Sequence, residues 1–148
     1  MKMRNSSLTV FFIVIATTIL IQSCHKEKNP AETVAEDFLS SIYNYDFERA
    51  STLSTTCSQK WIKFQASNVT QAELDTKPCV CTYSNILSTS SQIMNDSITK
   101  VTCSLDKVAV KSLQTDSIEF ATIQTTVNVV LRDGKWLVKM EGPLQNGM

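Results

Sequence analysis

The 148-residue chain contains few of the residues on which common functional sites depend: one histidine, three glycines and three prolines. The lone histidine, His25, lies in a short polar stretch that we interpret as a solvated tether, so the rest of the chain lacks the commonest general base. No glycine-rich phosphate-binding loop is present. With 43% apolar and 19% charged residues, the chain is neither disordered nor fibrous in composition, and its length suits one compact domain.

Clusters of basic residues are also missing. The full chain has a formal net charge of zero; without its first 23 residues, which include Lys2 and Arg4, it has 12 basic and 14 acidic residues and a net charge of −2. Binding to a phosphate backbone requires clustered lysine and arginine. The composition therefore excludes nucleic acid as a partner.

The first 24 residues have the order of an export signal. Lys2 and Arg4 precede an uncharged apolar run of 14 residues, Leu8–Ile21. A permanent membrane span needs about 20 apolar residues, so this run is short for one and a cleaved signal is predicted. An ordinary signal peptide with an incidental cysteine, or an uncleaved anchor, is the alternative.

The tetrapeptide Ile21-Gln22-Ser23-Cys24 resembles the bacterial lipobox, with an aliphatic residue three positions before the cysteine and a small residue just before it. The resemblance implies that the Cys24 thiol is lipidated and anchors the protein in a bilayer, which is the first partner we expect. Several acyl chains hold a domain firmly where one is marginal. We therefore expect a lipid-anchored protein of the bacterial cell envelope, at the outer membrane on its periplasmic or surface face.

The predicted organisation is a signal peptide over residues 1–23, a lipidated tether over 24–29, a folded domain over 30–142 and a fraying tail over 143–148. A helix is predicted from Pro30 to about Asn44, because Asn29 and Glu32 form the pattern of a capping box with proline at the first helical position. Apolar residues recur along it at helical spacing. Asp46 is expected to cap a weaker helix that runs to about Thr56. A third helical stretch over Ser58–Ala66 and a turn over Thr70–Glu73 follow.

From Pro78 onward the composition changes to alternating Val, Ile and Thr, which is typical of strands. Four strands are predicted, over about Cys79–Thr89, Ile98–Val110, Ile118–Arg132 and Lys135–Glu141, with loops or turns at Ser88–Ser91 and around Thr115. Asp133-Gly134 is a two-residue hairpin loop that pairs Arg132 with Lys135 and gathers one apolar face. That face holds Val127, Val129, Leu131, Trp136, Val138 and Met140.

Helices followed by an antiparallel meander predict an α+β domain, in which the N-terminal helices cover one face of a curved sheet of about four strands. Three segments carry a resemblance: Asn-Pro-x-Glu-Thr-Val-x-x-Phe at Asn29–Phe38, Tyr-x-x-Asp-Phe-x-x-Ala at Tyr43–Ala50, and Leu-Arg-Asp-Gly-Lys-Trp-Leu-Val at Leu131–Val138. They resemble small bacterial lipoproteins with a nuclear-transport-factor-2-like, or cystatin-like, roll, many of them from uncharacterised families. The resemblance implies a pocket between helices and sheet and carries over no catalytic residue.

Four cysteines remain in the domain, namely Cys57, Cys79, Cys81 and Cys103. An even number in an exported domain favours two structural disulfides. A direct bond between Cys79 and Cys81 would be strained, so we expect Cys57 to join one of them and Cys103 the other. A tetrathiolate zinc site, a redox-active Cys-x-Cys pair and buried free thiols are the alternatives; we expect neither a metal nor a cofactor.

No residue set in the sequence specifies catalysis. A pocket enzyme of the isomerase or dehydratase type would pair Asp37 or Asp46 with Tyr43, Tyr45 or Tyr83. Structural roles explain these residues better: Asp46 as a cap, Asp37 as a solvated carboxylate and the tyrosines as core or rim residues. The sequence thus predicts a non-catalytic module that binds a small apolar ligand or an envelope protein; a small pocket enzyme, or an inhibitory or structural partner of an envelope or secreted protein, is the alternative. The candidate pocket-lining residues are Trp61, Phe64, Tyr83 and Trp136.

Two tripeptides, Asp96-Ser97-Ile98 and Asp116-Ser117-Ile118, resemble a bacterial O-glycosylation sequence in which an acid precedes a hydroxyl and an aliphatic residue. Both come where a strand is predicted to begin, so that a turn would expose the serine. Ser97 and Ser117 are therefore candidate modification sites.

Overall fold

The computed structural model describes residues 28–75, 83–112, 115 and 117–144. Four α-helices come first: α1 (Pro30–Tyr43), α2 (Phe47–Thr52), α3 (Gln59–Asn68) and α4 (Gln71–Asp75), with a 3₁₀ turn at Thr56–Ser58 before α3. The strands β1 (Asn85–Asn95), β2 (Ile98–Lys111), β3 (Ile118–Arg132) and β4 (Lys135–Lys139) form one antiparallel sheet in the order β1-β2-β3-β4. The predicted α+β class, with helices packed on an antiparallel sheet, is confirmed. Within the described ranges, no helix combines the length and the apolar composition needed to cross a bilayer.

Helix α1 begins where the sequence predicts, but its capping differs from the prediction. The Asn29 side chain accepts a hydrogen bond from the Ala31 N–H at 3.0 Å, and Pro30 occupies the first helical position. The reciprocal half of the capping box is wrong, because the Glu32 carboxylate accepts a hydrogen bond from Ser91 of β1. A complete capping box occurs instead at α4, where a turn was predicted: the Thr70 N–H donates to the Glu73 carboxylate, and the Thr70 hydroxyl accepts from the Glu73 N–H.

Helix α1 lies across one face of the sheet and contacts all four strands. Its apolar stripe supplies the centre of the core, and alternate residues of β2, β3 and β4 supply the opposing layer, as expected for a strand with one buried face. The fully buried apolar side chains are Ala31, Ala35, Phe38, Leu39, Ala50, Val101, Cys103, Leu105, Val129 and Val138.

The final hairpin has the predicted turn and register. Asp133 and Gly134 both have positive φ, 49° and 75°, as a two-residue loop of this type requires. Arg132 pairs with Lys135, and the pairing continues inward from there as predicted. Leu144, which the sequence places in the tail, packs against the core with a partly buried side chain.

Strand β1 lies about six residues later than predicted, and Ser88–Ser91, predicted as a loop, forms its middle. Hydroxyl side chains there are stabilised by partners on α1, which offset the low apolar content of the segment. Irregularities at Leu87 and Met94 interrupt the pairing with β2 on either side of Ser88–Ile93. A third irregularity, a bulge in β2, sets Asp106 and Lys107 opposite Thr122, and Lys107 has a φ of 55°.

The two edges of the sheet differ. At β4, the backbone of Leu53–Thr55 forms a bridge along the outer side: the Val138 N–H donates to the Leu53 carbonyl at 2.9 Å, and the Thr55 N–H donates to the Val138 carbonyl at 3.0 Å. At the other edge, the only strand in the described part of the chain that pairs with β1 is β2. The sheet therefore has one edge covered by its own chain and one, β1, whose outer side has no strand on it among the described residues.

Candidate functional site

Helix α1 and β1 meet along a line of polar side chains that we call the α1–β1 seam: Lys28, Glu32, Glu36, Thr89 and Ser91. Thr89 donates a hydrogen bond to the Glu36 carboxylate, and Ser91 donates to Glu32. Lys28 forms an ion pair with Glu36, whose side chain is only 15% exposed. The seam neutralises a largely buried carboxylate and joins the helix to the strand.

The spacing within the seam aligns α1 with β1. Glu32 and Glu36 are four residues apart on the helix, a rise of about 6 Å, and their partners Ser91 and Thr89 are two residues apart on the strand, a rise of about 6.6 Å. Since these steps match, the helix and the strand run side by side in opposite directions. The next step from Glu32 toward the N-terminus of α1 reaches Lys28, and the next step from Ser91 along β1 reaches Ile93, which is 70% exposed.

Cys103 lies beneath the seam, fully buried, with its Sγ 3.8 Å from the Thr89 Oγ1. Burial raises the pKa of the Cys103 thiol, and the Glu36 carboxylate adds to the rise, while Thr89 and Lys28 oppose it. Cys57 is exposed, and both cysteines are free thiols in the structure. Cys79 and Cys81 lie outside the described residues, so the two disulfides remain predictions. A bond to Cys103 would require its partner to enter the closed interface between α1 and the sheet, whereas Cys57 is open to solvent.

Alkylation rates should distinguish the exposed Cys57 from the buried Cys103. Under reducing conditions at pH 8, we expect iodoacetamide to label Cys57 rapidly and Cys103 only when the domain opens, because thiolates react and burial disfavours the Cys103 thiolate. Peptide mass spectrometry at timed intervals measures both rates, with labelling in urea as the control that should equalise them. Equal rates in the native protein would contradict the packing of Cys103. Omitting the reductant tests the disulfide prediction, which expects protection of Cys57.

The residues of the enzyme hypothesis have structural partners. Asp46 caps α2, accepting a hydrogen bond from the Arg49 N–H at 3.0 Å, and an Asp37 carboxylate oxygen lies 3.5 Å from the Arg49 guanidinium. The Tyr43 hydroxyl shares a 3.1 Å hydrogen bond with the buried Thr125 hydroxyl, and the Tyr45 ring contacts Phe47. Tyr83 is exposed, just before β1. These contacts hold the turn between α1 and α2 and the end of α1.

Tyrosine burial predicts a loss of stability at high pH. Burial raises the pKa of Tyr45 from 10.0 to about 12, with a further contribution from the Glu73 charge, and burial also raises the pKa of Tyr43. Between pH 10 and about 12 the unfolded chain therefore binds fewer protons than the folded one, and the free energy of unfolding falls as pH rises. Urea midpoints at pH 9 and pH 11 should show this fall, and a Tyr45→Phe variant should show a smaller one. An identical fall in the variant would contradict the assignment to Tyr45.

The four candidate pocket residues occupy two kinds of environment. Trp61 of α3 and Trp136 of β4 are partly buried and pack against the core. Phe64 and Tyr83 are 49% and 40% exposed. A pocket lined by all four remains a prediction.

Within the described ranges, no group of three or more His, Cys, Asp or Glu side chains is placed to hold a metal ion.

The serines of the two candidate glycosylation sites are exposed, and each lies just before a strand. Ser97 is in the β1–β2 turn, and its carbonyl accepts a hydrogen bond from the Leu131 N–H at 2.8 Å. Ser117 precedes β3, and its hydroxyl shares a 2.6 Å hydrogen bond with that of Thr115. The antiparallel connections place the two serines at opposite ends of the sheet. Their modification remains a prediction.

Exposed large apolar side chains are concentrated on β1, which sequence analysis did not identify as a candidate surface. Leu87, Ile93 and Met94 are 58%, 70% and 58% exposed. The i, i+4 carboxylates Glu32 and Glu36, set against the alternating hydroxyls of Thr89 and Ser91, were the sequence signal that could have placed this strand beside α1. The β1 edge is therefore the candidate binding surface.

Comparisons with known proteins find similarity in solved structures alone. The association domain of C. elegans CaMKII is 12% identical, with a TM-score of 0.45 and coverage of 91% of this chain and 95% of that chain. A Xanthomonas campestris protein described as a calcium/calmodulin-dependent protein kinase II association domain is 13% identical, with a TM-score of 0.47 and coverage of 78% and 87%. A protein of unknown function from Mycobacterium tuberculosis is 8% identical, with a TM-score of 0.47 and coverage of 99% and 78%.

No protein-family model matches the sequence, and a search of curated proteins also gives no match. At the identities found for the solved structures, the likeness concerns the arrangement of helices and strands and not an activity.

Proposed function

We propose that this chain is a lipid-anchored, non-catalytic interaction module of the bacterial cell envelope, and that it binds an envelope protein by accepting an extended segment along the outer edge of β1. The observation that carries the proposal is the difference between the two sheet edges. The β4 edge is occupied by Leu53–Thr55 of the same chain, whereas β2 is the only strand pairing with β1 within the described residues.

An edge strand presents a row of backbone donors and acceptors that a partner strand can satisfy. On β1 the regular stretch is Ser88–Ile93, bounded by the irregularities at Leu87 and Met94. Six residues accommodate a short partner strand, and the bulged ends disfavour longer pairing. The exposed Leu87 side chain adds apolar area at the end of this stretch, so the partner segment should be extended and should carry an apolar residue near one end.

The contacts of the candidate catalytic residues support a non-catalytic role. Asp46 is an N-cap, and Asp37 lies on the surface beside Arg49. The Tyr43 hydroxyl is engaged with Thr125 on the inner face of the sheet. If Asp37 or Asp46 acted as the base of a pocket enzyme, it would have to leave its structural role.

A photocrosslinking experiment tests the docking edge. A photoreactive amino acid at Ser90, in the middle of β1, should capture an envelope protein in living cells, whereas the same substitution at Gln124 should not, because β3 lies between two strands of the sheet. Both positions are exposed, so the pair differs in edge position and not in accessibility. Equal capture at both positions, or capture at Gln124 alone, would overturn the edge assignment.

The anchor is tested separately through Cys24. Replacing the acylated cysteine by serine should move the protein from the membrane fraction to the soluble fraction, because the acyl chains supply the membrane affinity. Fractionation and immunoblotting of cells that produce the Cys24→Ser variant measure the change, and a Cys57→Ser variant is the matched control that should remain with the membrane. Unchanged membrane association of the Cys24→Ser variant would overturn the anchor.

A further inference from the structure

One end of the domain combines the start of α1 with two β-turns. The Leu131 N–H donates to the Ser97 carbonyl at 2.8 Å, which joins the β3–β4 hairpin to the β1–β2 turn. The α1–β1 seam brings the N-terminus of α1 to the same end, because the helix and the strand run in opposite directions. We call this end of the domain, comprising Lys28, Ile93–Ser97 and Leu131–Lys135, the tether end.

The large apolar side chains of the tether end are exposed to solvent. Step for step along the seam, Glu36 faces Thr89 and Glu32 faces Ser91, so the next step along β1 places Ile93 beyond the first turn of α1, which begins at Pro30. No helical turn remains there to bury it, and Ile93 and its neighbour Met94 are 70% and 58% exposed. The exposed charges at the same end are balanced: Arg132 and Lys135 pair across the β3–β4 hairpin, and Asp96 and Asp133 lie in the two turns.

The short segment between Cys24 and Lys28 limits how far the tether end can lie from a bilayer that holds Cys24. Cys24 is four residues before Lys28, and four residues span at most about 14 Å when fully extended. The polar headgroup region on each side of a bilayer is about 5–7 Å deep. A lipidated Cys24 therefore holds the start of α1, and with it Ile93, close to the bilayer surface.

We propose that the tether end rests on the bilayer, with Ile93 and Met94 inserted into the headgroup region. This inference depends on the lipid anchor proposed above and assigns the membrane-facing surface of the folded domain. The occupant is a lipid surface because the anchor and the exposed apolar pair lie at one end. The outer edge of β1 over Ser88–Gln92 runs away from the membrane and stays open to a protein partner.

Tryptophan fluorescence in brominated vesicles tests the orientation. The acylated full chain is placed in phosphatidylethanolamine and phosphatidylglycerol vesicles, and quenching by brominated acyl chains is compared between an Ile93→Trp and a Leu87→Trp variant. The two positions are similarly exposed on the same strand and about 20 Å apart. The unsubstituted protein supplies the background from Trp61 and Trp136. Quenching at position 93 should exceed that at position 87 by about threefold or more, because an indole favours the membrane interface.

Equal quenching at the two positions, in protein that floats with the vesicles and carries its acyl mass, would overturn the inference and leave the anchor intact. Protein that lacks the acyl mass and does not float would overturn the anchor and the inference together.

Amide exchange of the unsubstituted acylated protein gives a second measurement that depends on no substitution. Transfer from detergent to vesicles should slow exchange in Ile93–Ser97 and Leu131–Lys135 and leave Val110–Ser112, at the opposite end, unchanged. Uniform slowing at both ends would contradict the proposed orientation.

Discussion

Replacing Phe38 by alanine is expected to lower the free energy of unfolding by about 3–5 kcal/mol. Phe38 is fully buried at the centre of the core, on the helix that contacts all four strands. Domains of this size have a total stability of about 5–15 kcal/mol, so the variant should be partly or fully unfolded at 37 °C. Urea denaturation followed by circular dichroism measures the loss.

The matched control is Phe64→Ala, the same chemical change at a side chain that is 49% exposed on α3. Its cost should stay below about 1 kcal/mol. Comparable losses at Phe38 and Phe64 would contradict the assignment of Phe38 to the core.

The second large effect is expected at Ser58, which has no exposed surface. Its hydroxyl accepts a hydrogen bond from the Met140 N–H at 2.9 Å, donates to the Val138 carbonyl at 3.2 Å and shares a hydrogen bond with Thr55 at 2.8 Å. A Ser58→Ala substitution leaves a buried backbone N–H without a partner, which costs about 1–3 kcal/mol. The urea midpoint should fall accordingly, and the Met140 amide should exchange faster.

Ser67→Ala is the control for this substitution, since the Ser67 hydroxyl donates to a carbonyl on an exposed part of α3. We expect a change within about 0.5 kcal/mol there. If Ser58→Ala proved equally mild, the stabilising role assigned to the Ser58 hydroxyl at the end of β4 would be wrong.

The final hairpin could be predicted from sequence because two independent signals agree. Asp133-Gly134 tolerates positive φ at both positions, and the alternation of apolar residues on either side selects the same register. The start of α1 was equally local, since Asn29 and Pro30 act on the turn next to them. Both features depend on residues close in sequence.

Turn signals and hydrophobic periodicity did not place strand β1, because its partners are distant in sequence. The hydroxyl of Thr89 bonds to a carboxylate 53 residues away, and without that partner a run of Ser and Thr has the composition of a loop. Glu32 likewise bonds to a residue that is distant in sequence, Ser91, instead of completing the predicted capping box. Turn chemistry and periodicity do not report on such contacts.

The candidate site was missed for a related reason. Which edge of a sheet remains open depends on the path of the loops, and Leu53–Thr55 carries no pattern that predicts a bridge to β4. Exposure of Ile93 likewise follows from where α1 begins. The sequence predicted the fold class, whereas the docking edge required the three-dimensional structure.

The bridge from Leu53–Thr55 to β4 also limits self-association. A sheet with two open edges can add copies without end, as fibres do. Here one edge is already occupied by the chain itself, so two copies that met through β1 would complete a closed, symmetric pair and leave no strand for a third. Self-association through β1 should therefore produce dimers and not filaments.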